Sequence, residues 1–275
     1  MQGGKISMQI SDYHMHTAYS IDSQAPMEDM IRRAIDLGMR EIAITDHVDY
    51  QYPDIPYDDQ IDYHIYHQEF VRLKEKYRGQ IRILFGVEIG IGPILAETIT
   101  RFVNDFHFDF IIGSIHDIKG VMLYYDSHWF DGQDKKTAYE AYFAYMLESI
   151  RAVDDFCVLG HMDYVSRYGP YEDTSLVYGD YADIIDEILR ELVARGKGLE
   201  VNTSGYRYGI GNVYPQLAIL KRYKELGGQI VTIGSDAHRP QDIGLDFDKA
   251  YDCLRAAGFD KVTVYREGQP QWVRL

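Results

Sequence analysis

The chain has 275 residues and a formal net charge of −15 at pH 7. Hydrophobic residues make up 46% of it, which suffices for a large core and excludes an intrinsically disordered chain. The negative charge argues against binding along a nucleic-acid backbone, which requires clustered cations. It does not exclude an anionic substrate, because bound divalent cations can reverse the sign of the local field.

The N-terminal sequence and the cysteines carry no sign of export. Residues 1–6 lack the apolar stretch of a signal peptide, and no run approaches the roughly 20 apolar residues that span a bilayer. Met8 is an alternative start, since the first strand needs only a few residues before Asp12. We interpret Cys157 and Cys253, the only cysteines, as buried apolar residues rather than as a disulfide or a thiolate metal site. The sequence therefore predicts a cytoplasmic protein.

Short apolar runs with strand character alternate with segments of helical periodicity. The predicted strands are residues 42–44, 81–85, 108–112, 158–159, 199–201 and 230–233, with a weaker first strand at 6–10. The clearest helix carries an apolar stripe over 181–193, followed by Gly196 as a C-cap. A second helix covers 27–35, with Pro26 at its first turn, and a third is predicted at 60–77.

Residues that can bind metal ions stand where most of these predicted strands give way to loops. They comprise six of the ten histidines and three carboxylates: His14, His16, Asp22, His47, Glu88, His116, His161, Asp236 and His238. Alternating strands and helices indicate a parallel sheet, and in a barrel the carboxyl ends of all strands surround one mouth. No Pro/Gly/Ser-rich linker divides the chain. We therefore predict a single α/β barrel domain, residues 1–275, with a doubly wound open sheet as the alternative.

The spacing of these residues favours chelation. His14 and His16 lie two positions apart on a strand, so their imidazoles face the same side and can hold one ion. Asp236 and His238 repeat that spacing and add a carboxylate. Glu88 follows an apolar run, where a buried carboxylate is costly without a cation, and it could bridge two ions.

The remaining histidines are weaker candidates. His64 and His67 lie three positions apart in the predicted helix at 60–77, and we assign them to a solvated helix face. His107 precedes a strand, away from the mouth, and is interpreted as structural. His128 lies in a loop before Trp129 and is a candidate pocket residue.

The order of these motifs resembles that of the polymerase and histidinol phosphatase (PHP) superfamily over nearly the whole chain. The motifs are DYHMHT at 12–17, TDH at 45–47, GVE at 86–88, SIH at 114–116, GHMD at 160–163 and GSDAH at 234–238. Within the superfamily, residues 160–168 and 202–207 look like those of the monofunctional histidinol-phosphate phosphatases. The resemblance implies a distorted (β/α)7 barrel with a trinuclear metal site.

The resemblance also implies how the ligands are shared. The three groups are His14, His16, Glu88 and Asp236; Glu88 with His116 and His161; and Asp22, His47 and His238. Asp22 stands where some relatives carry histidine, so the third ion depends on the direction in which Asp22 points. Imidazole and carboxylate ligands without thiolate fit zinc, iron or manganese. We therefore expect two or three divalent ions.

Three divalent ions and three carboxylates leave a positively charged pocket that suits a phosphate dianion and a bridging hydroxide nucleophile. Arg167 and Arg207 are the candidate phosphate-binding residues, because a guanidinium offers a fork of donors. Asp46 and Asp163 flank predicted ligands, and we expect them to orient imidazoles. The predicted reaction is hydrolysis of L-histidinol phosphate to L-histidinol and phosphate.

Two alternatives stay open. One is a phosphoesterase of the same scaffold that acts on another small phosphate ester, a nucleotide or a phosphodiester. The other, from a different class, is a catalytically silent, metal-stabilised binding domain. The sequence predicts no nucleic-acid partner and no membrane association, and it leaves the oligomeric state undetermined.

Overall fold

Seven parallel strands form a nearly closed barrel in the computed structural model, which describes residues 11–50, 61–124, 127–266 and 268–275. The barrel strands are β1 (Ser11–Asp12), β2 (Glu41–Ile44), β3 (Arg82–Gly90), β4 (Phe110–Ser114), β5 (Val158–Leu159), β6 (Gly198–Asn202) and β7 (Val231–Gly234). Each strand pairs in parallel with the next one along the chain. Between β7 and β1, the Tyr13 amide donates to the Ile233 carbonyl at 3.0 Å, and Met15 forms a parallel bridge with Ala237. The predicted (β/α)7 barrel is confirmed.

Helices connect the strands. They are α1 (Met27–Asp36), α2 (Tyr63–Lys76), α3 (Ala96–Phe106), α4 (Lys135–Ala152), α5 (Val165–Tyr168), α6 (Ala182–Ala194), α7 (Ser204–Arg207), α8 (Leu217–Glu225) and α9 (Phe247–Ala256). Helix α2 begins at Tyr63, because the Asp62 side chain accepts hydrogen bonds from the amides of its first turn. Gly196 adopts a left-handed φ of 67° just beyond α6, as expected for a C-cap glycine. Among the described residues, no helix is both long and apolar enough to cross a membrane.

An antiparallel hairpin, β8 (Lys261–Arg266) and β9 (Gln269–Arg274), follows the last helix. Side chains of β8 join the smaller apolar core, which consists of Tyr13, Ala43, Leu84, Phe110, Ile112, Val158, Val264 and Tyr265. The Tyr265 amide donates to the Tyr13 hydroxyl at 2.8 Å, and Arg266 forms an ion pair with the buried Glu41 at 2.5 Å. The polar residues of the following sections lie at the opposite, carboxyl ends of the strands.

Most strand bounds lie within two residues of the predicted ones, and β3 differs most. β3 continues to Gly90, so Glu88 lies inside the strand rather than after it. The extension pairs with β4 on one side and with the two-residue strand His47–Val48 on the other, which satisfies its backbone. The predicted strand at 6–10 lies outside the described residues, of which Ser11–Asp12 form β1.

Candidate metal centre

The structure brings all nine candidate metal-binding residues together at the carboxyl ends of the strands. His14 and His16 flank Met15, whose backbone bridges to Ala237, so the extended chain turns both imidazoles to the same side. The others come from β3, from the short strand beside it, and from the loops after β1, β4, β5 and β7. A parallel barrel places all of these positions at one mouth.

The first group surrounds one carboxylate oxygen of Glu88. The Nε2 atoms of His14 and His16 lie 3.0 Å apart, and they lie 3.0 Å and 3.4 Å from Glu88 Oε2. Asp236 Oδ1 lies 3.7 Å from His14 Nε2 and 3.4 Å from His16 Nε2. The four donor atoms therefore lie close enough together to bind one ion.

The second group uses the other oxygen of the same carboxylate. His161 Nε2 lies 2.7 Å from Glu88 Oε1, and His116 Nε2 lies 3.2 Å from it. The two Nε2 atoms are 3.4 Å apart. Glu88 is fully buried between the two groups, so its two oxygens are placed to bridge two ions.

The third group is the most exposed one. Asp22 Oδ2 lies 2.9 Å from His238 Nε2 and 3.7 Å from His47 Nε2. His16 stacks between the imidazoles of His47 and His238, with ring centroids 4.1 Å and 4.2 Å away. Asp22 thus points towards the cluster, with its carboxylate beside both imidazoles.

The outward nitrogens of three imidazoles meet hydrogen-bond partners. His14 Nδ1 lies 2.6 Å from Glu200 Oε1, His116 Nδ1 lies 3.0 Å from Asp49 Oδ1, and His16 Nδ1 lies 3.0 Å from the Ser20 hydroxyl. A carboxylate only accepts, so the Nδ1 atoms of His14 and His116 carry hydrogen, and Nε2 of each ring is the nitrogen that binds a metal ion once its own proton is released. Such partners fix the tautomer of a metal-binding histidine. The sequence analysis did not identify these three partners.

This donor set fits divalent metal ions. The Nε2 atoms of His14 and His16 lie 3.0 Å apart, so their facing lone pairs repel each other unless a proton or a metal ion lies between them. Within the described residues, the buried Glu88 Oε2 has no hydrogen bond of suitable geometry, although the Nε2 atoms of His14 and His16 lie 3.0 Å and 3.4 Å from it. Unsatisfied buried polar atoms are costly, and a metal ion at this position would satisfy both the carboxylate and the imidazoles.

The acidic groups set the proton affinity of the cluster. Burial lowers the pKa of His116, but the carboxylates of Asp49 and Glu88 raise it by more than burial lowers it, so that the pKa is about 10. Burial likewise opposes protonation of His14, yet Glu200, Glu88 and Asp236 hold its pKa well above the usual value. The neighbouring imidazoles in turn keep the pKa of Glu88 well below its usual range, against the effect of burial. The cluster therefore attracts positive charge, as protons or as metal ions.

A cavity of about 230 Å³ opens above the cluster. Its lining is Asp22, His47, Glu88, His116, Tyr124, His161, Tyr164, Arg167, Tyr168, Tyr208, Asp236 and His238. The Arg167 guanidinium lies 3.1 Å from the centroid of the Tyr208 ring and 4.9 Å from that of Tyr168. Aromatic faces therefore hold this cation at the cavity wall.

Arg207 is placed differently. Its guanidinium donates to the main-chain carbonyls of Ser235 at 3.2 Å and Asp236 at 2.6 Å, and the residue is not part of the cavity lining. Phosphate binding by Arg207 stays a prediction.

The two aspartates that flank predicted ligands, Asp46 and Asp163, differ in what they contact. Asp46 accepts from the Thr17 amide at 2.6 Å and the Ser20 hydroxyl at 2.6 Å, and Ser20 in turn contacts His16. The expectation that Asp46 orients an imidazole is therefore met through a hydroxyl rather than by direct contact. Asp163 Oδ2 instead accepts from the Gln216 amide at 3.1 Å, and burial raises the pKa of Asp163 to about 7.

The remaining histidines lie apart from the cluster. His64 and His67 are exposed on α2, as predicted, and His107 forms the left-handed C-cap of α3 with a φ of 51°. His128, the candidate pocket residue, is exposed in a short 3₁₀ helix and is not among the residues that line the cavity.

Comparison with known proteins identifies the family. The PHP domain model matches residues 12–204. The chain is 32% identical over 255 residues to the histidinol-phosphatase of Lactococcus lactis, covering 92% of this chain and 93% of that protein. It is 38% identical over 247 residues to a probable histidinol-phosphatase of Clostridium acetobutylicum, covering 88% and 91% of the two chains.

A solved structure extends the likeness to three dimensions. It is the histidinol phosphate phosphatase of Lactococcus lactis complexed with zinc, L-histidinol and phosphate, which superposes with a TM-score of 0.88 at 30% identity. The match covers 96% of this chain and all (100%) of that one. The family model matches the sequence motifs, and the solved structure matches the barrel. The chain therefore belongs to the PHP domain family.

Proposed function

We infer that this protein is a metal-dependent phosphomonoesterase that hydrolyses L-histidinol phosphate to L-histidinol and phosphate. The observation that carries this inference is a buried cluster of imidazoles and carboxylates at the barrel mouth. It occurs in a fold that superposes on a histidinol phosphate phosphatase holding zinc, L-histidinol and phosphate. The relative from Clostridium acetobutylicum, which is 38% identical over 88% of this chain, is named a probable histidinol-phosphatase as well.

We propose that the cluster holds two or three divalent ions of zinc, iron or manganese. The residues of the three groups would be His14, His16, Glu88 and Asp236; Glu88, His116 and His161; and Asp22, His47 and His238. Divalent ions in such a site lower the pKa of water and neutralise the charge of phosphoryl oxygens. Mixed imidazole and carboxylate donors at the spacings described above support this assignment.

The residues of the chain supply position and charge. Arg167 stands at the cavity wall beside Tyr208, where its fork of donors can bind the phosphoryl oxygens. Water attacks phosphorus and gives up a proton, the bond from phosphorus to the ester oxygen breaks, and that oxygen takes up a proton and leaves as the alcohol. Four tyrosines line the cavity in which this step takes place and limit the access of bulk solvent: Tyr124, Tyr164, Tyr168 and Tyr208.

The size of the cavity favours a small ester over a polymer. A volume of about 230 Å³ suits a compact molecule, and the net charge of −15 disfavours binding along a nucleic-acid backbone. The alternative of a silent metal-stabilised domain is disfavoured because donor atoms for all three groups are present.

We also propose a cytoplasmic location. A phosphate monoester is a dianion that does not cross a bilayer unaided, so the enzyme has to share a compartment with the reactions that form its substrate. Fractionation of cells that express the protein tests this proposal: the activity is expected in the cytosolic fraction, and recovery with membranes would contradict it.

Turnover measurements test the proposed reaction. Purified protein of known metal content is assayed against small phosphate esters that include L-histidinol phosphate, nucleoside monophosphates and sugar phosphates. The proposal expects kcat/KM to be highest for L-histidinol phosphate and to vanish in Glu88→Gln, the matched variant without the bridging charge. Preference for another ester would keep the phosphatase and remove histidinol phosphate as the substrate. No turnover of any ester by metal-loaded protein would favour the binding domain.

A further inference from the structure

Glu200 is a buried carboxylate within the barrel, and none of the motifs above includes it. It lies in β6, where Leu199 and Val201 belong to the large apolar core. Side chains alternate along a strand, so Glu200 projects to the opposite face, towards the barrel interior. It is 1% exposed. A carboxylate at that depth is costly unless it has partners that compensate its charge.

Its two oxygens contact two different groups of the cluster. Oε1 lies 2.6 Å from Nδ1 of His14, whose Nε2 faces the first group. Oε2 accepts a hydrogen bond at 3.0 Å from the backbone amide of His161, whose imidazole belongs to the second group. Asn202 donates to Oε2 at 3.1 Å and so fixes the plane of the carboxylate.

The neighbouring backbone leaves room for this contact. A Cβ atom at Gly234 would lie 2.2 Å from Glu200 Oε1 and 2.4 Å from the Cβ of His14. Any side chain at this position of β7 would therefore separate the carboxylate from the imidazole. The strands β6 and β7 and the segment that follows β1 therefore leave the space that this hydrogen bond occupies.

We propose that Glu200 is a positioning residue that couples the first and second metal groups through one carboxylate. This inference rests on the metal-dependent function proposed above. By accepting from Nδ1, Glu200 turns the lone pair of His14 towards the cluster and makes Nε2 a better donor. By accepting from the amide of His161, the same carboxylate fixes the backbone from which the second imidazole extends. The third group, with Asp22, has no contact of this kind with Glu200.

The variant Glu200→Gln tests this role. Glutamine has nearly the same shape, but it carries no charge, and its amide group sets a donor against either Nδ1 of His14 or the amide of His161. Thr232→Val is the matched control. Thr232 pairs in register with Glu200 on β7, it is fully buried, and within the described residues its hydroxyl has no hydrogen-bond partner.

The measurement is zinc affinity, by competition between the metal-free protein and a chromophoric chelator. In Glu200→Gln, the dissociation constants of two ions should rise about 10- to 100-fold, the range found for such outer partners of metal ligands, while any third ion is unaffected. Thr232→Val should bind zinc as the wild type does. Wild-type affinity for every ion in folded Glu200→Gln would overturn the proposal.

A replacement variant and a kinetic measurement complete the test. Should circular dichroism show that Glu200→Gln is unfolded, Glu200→Asp takes its place. Its shorter side chain cannot reach both partners, so affinity for at least one of the two ions should fall, and wild-type affinity would again refute the coupling. No substrate enters the zinc measurement, so a failure of the phosphatase assignment leaves this test intact. Where turnover is observed, the Glu200 variant at saturating zinc should have the KM of the wild type and a lower kcat.

Discussion

The guanidinium of Arg207 donates a 2.6 Å hydrogen bond to the main-chain carbonyl of Asp236. Asp236 has a φ of 53°, a left-handed conformation that residues other than glycine rarely adopt. Nδ1 of His238 lies 3.1 Å from the same carbonyl oxygen. The contact from α7 therefore supports the strained turn after β7, which carries two of the nine candidate ligands.

Replacing Arg207 with alanine is expected to lower both metal content and kcat. The turn at Asp236 loses the donor that stabilises it, so Asp236 of the first group and His238 of the third group are displaced together. Elemental analysis and steady-state kinetics on one preparation measure both effects. If Arg207 bound phosphate instead, transition-state stabilisation would fall by roughly 2 to 4 kcal/mol with full metal content. Wild-type metal content and wild-type kinetics together would exclude both roles.

Replacing Arg167 with alanine is expected to reduce kcat/KM and leave metal content unchanged. Arg167 contacts aromatic rings at the cavity wall, and its cation is available to a phosphate dianion. Loss of one charged donor should cost on the order of 2 to 4 kcal/mol of transition-state stabilisation. Tyr208→Phe, which keeps the ring under the guanidinium, is the control and should retain most of the activity. An Arg167→Ala enzyme with unchanged kcat/KM would remove Arg167 from the phosphate site.

Replacing Glu88 with alanine is expected to remove at least one ion and nearly all turnover. Its two oxygens face imidazoles of two groups, at 2.7 Å from His161 and 3.0 Å from His14. Removal of one partner from a buried charged network leaves the others uncompensated. Metal content per chain and kcat should fall in parallel. An active Glu88→Ala protein with a full complement of metal would show that Glu88 does not bridge.

Metal binding is expected to release protons and to strengthen as the pH rises. Carboxylates hold the pKa of His116 at about 10 and that of His14 well above its usual value, so both imidazoles are protonated at pH 7 in the metal-free protein. An ion has to displace those protons, and fewer of them remain at higher pH. Calorimetric zinc titrations in buffers of different ionisation enthalpy count the protons released. A zinc affinity that does not change between pH 6 and pH 9 would contradict this assignment of charge.

The barrel and the convergence of the nine residues were predictable from the sequence because both follow from strand periodicity. Polar residues at the ends of parallel strands meet at one mouth, whatever the details of the loops. The prediction placed Glu88 after its strand, because Gly86 reads as the end of an apolar run. Pairing with the short strand at His47 extends β3 instead, and that pairing is not visible in a local pattern.

The outer partners of the histidines were missed for a physical reason. Glu200 and His14 are 186 positions apart, and their contact exists only because the barrel closes. A single signal was available, namely the acidic residue between the apolar Leu199 and Val201 of β6, where a charge requires a buried partner. For Arg207 the sequence suggested a contact that the structure does not show. Its sequence context suggested phosphate binding, whereas in the structure it contacts the backbone of the loop after β7.

Metal titration of turnover tests the central claim most directly. Protein stripped with a chelator is titrated with zinc, and hydrolysis of L-histidinol phosphate is measured at each ratio of bound ion to chain. We predict no activity without metal and a rise to a plateau at two or three bound ions per chain, since Glu88 joins at least two groups. Full activity in the stripped protein, or a plateau reached with fewer than one bound ion per chain, would contradict catalysis by a polynuclear site at the barrel mouth.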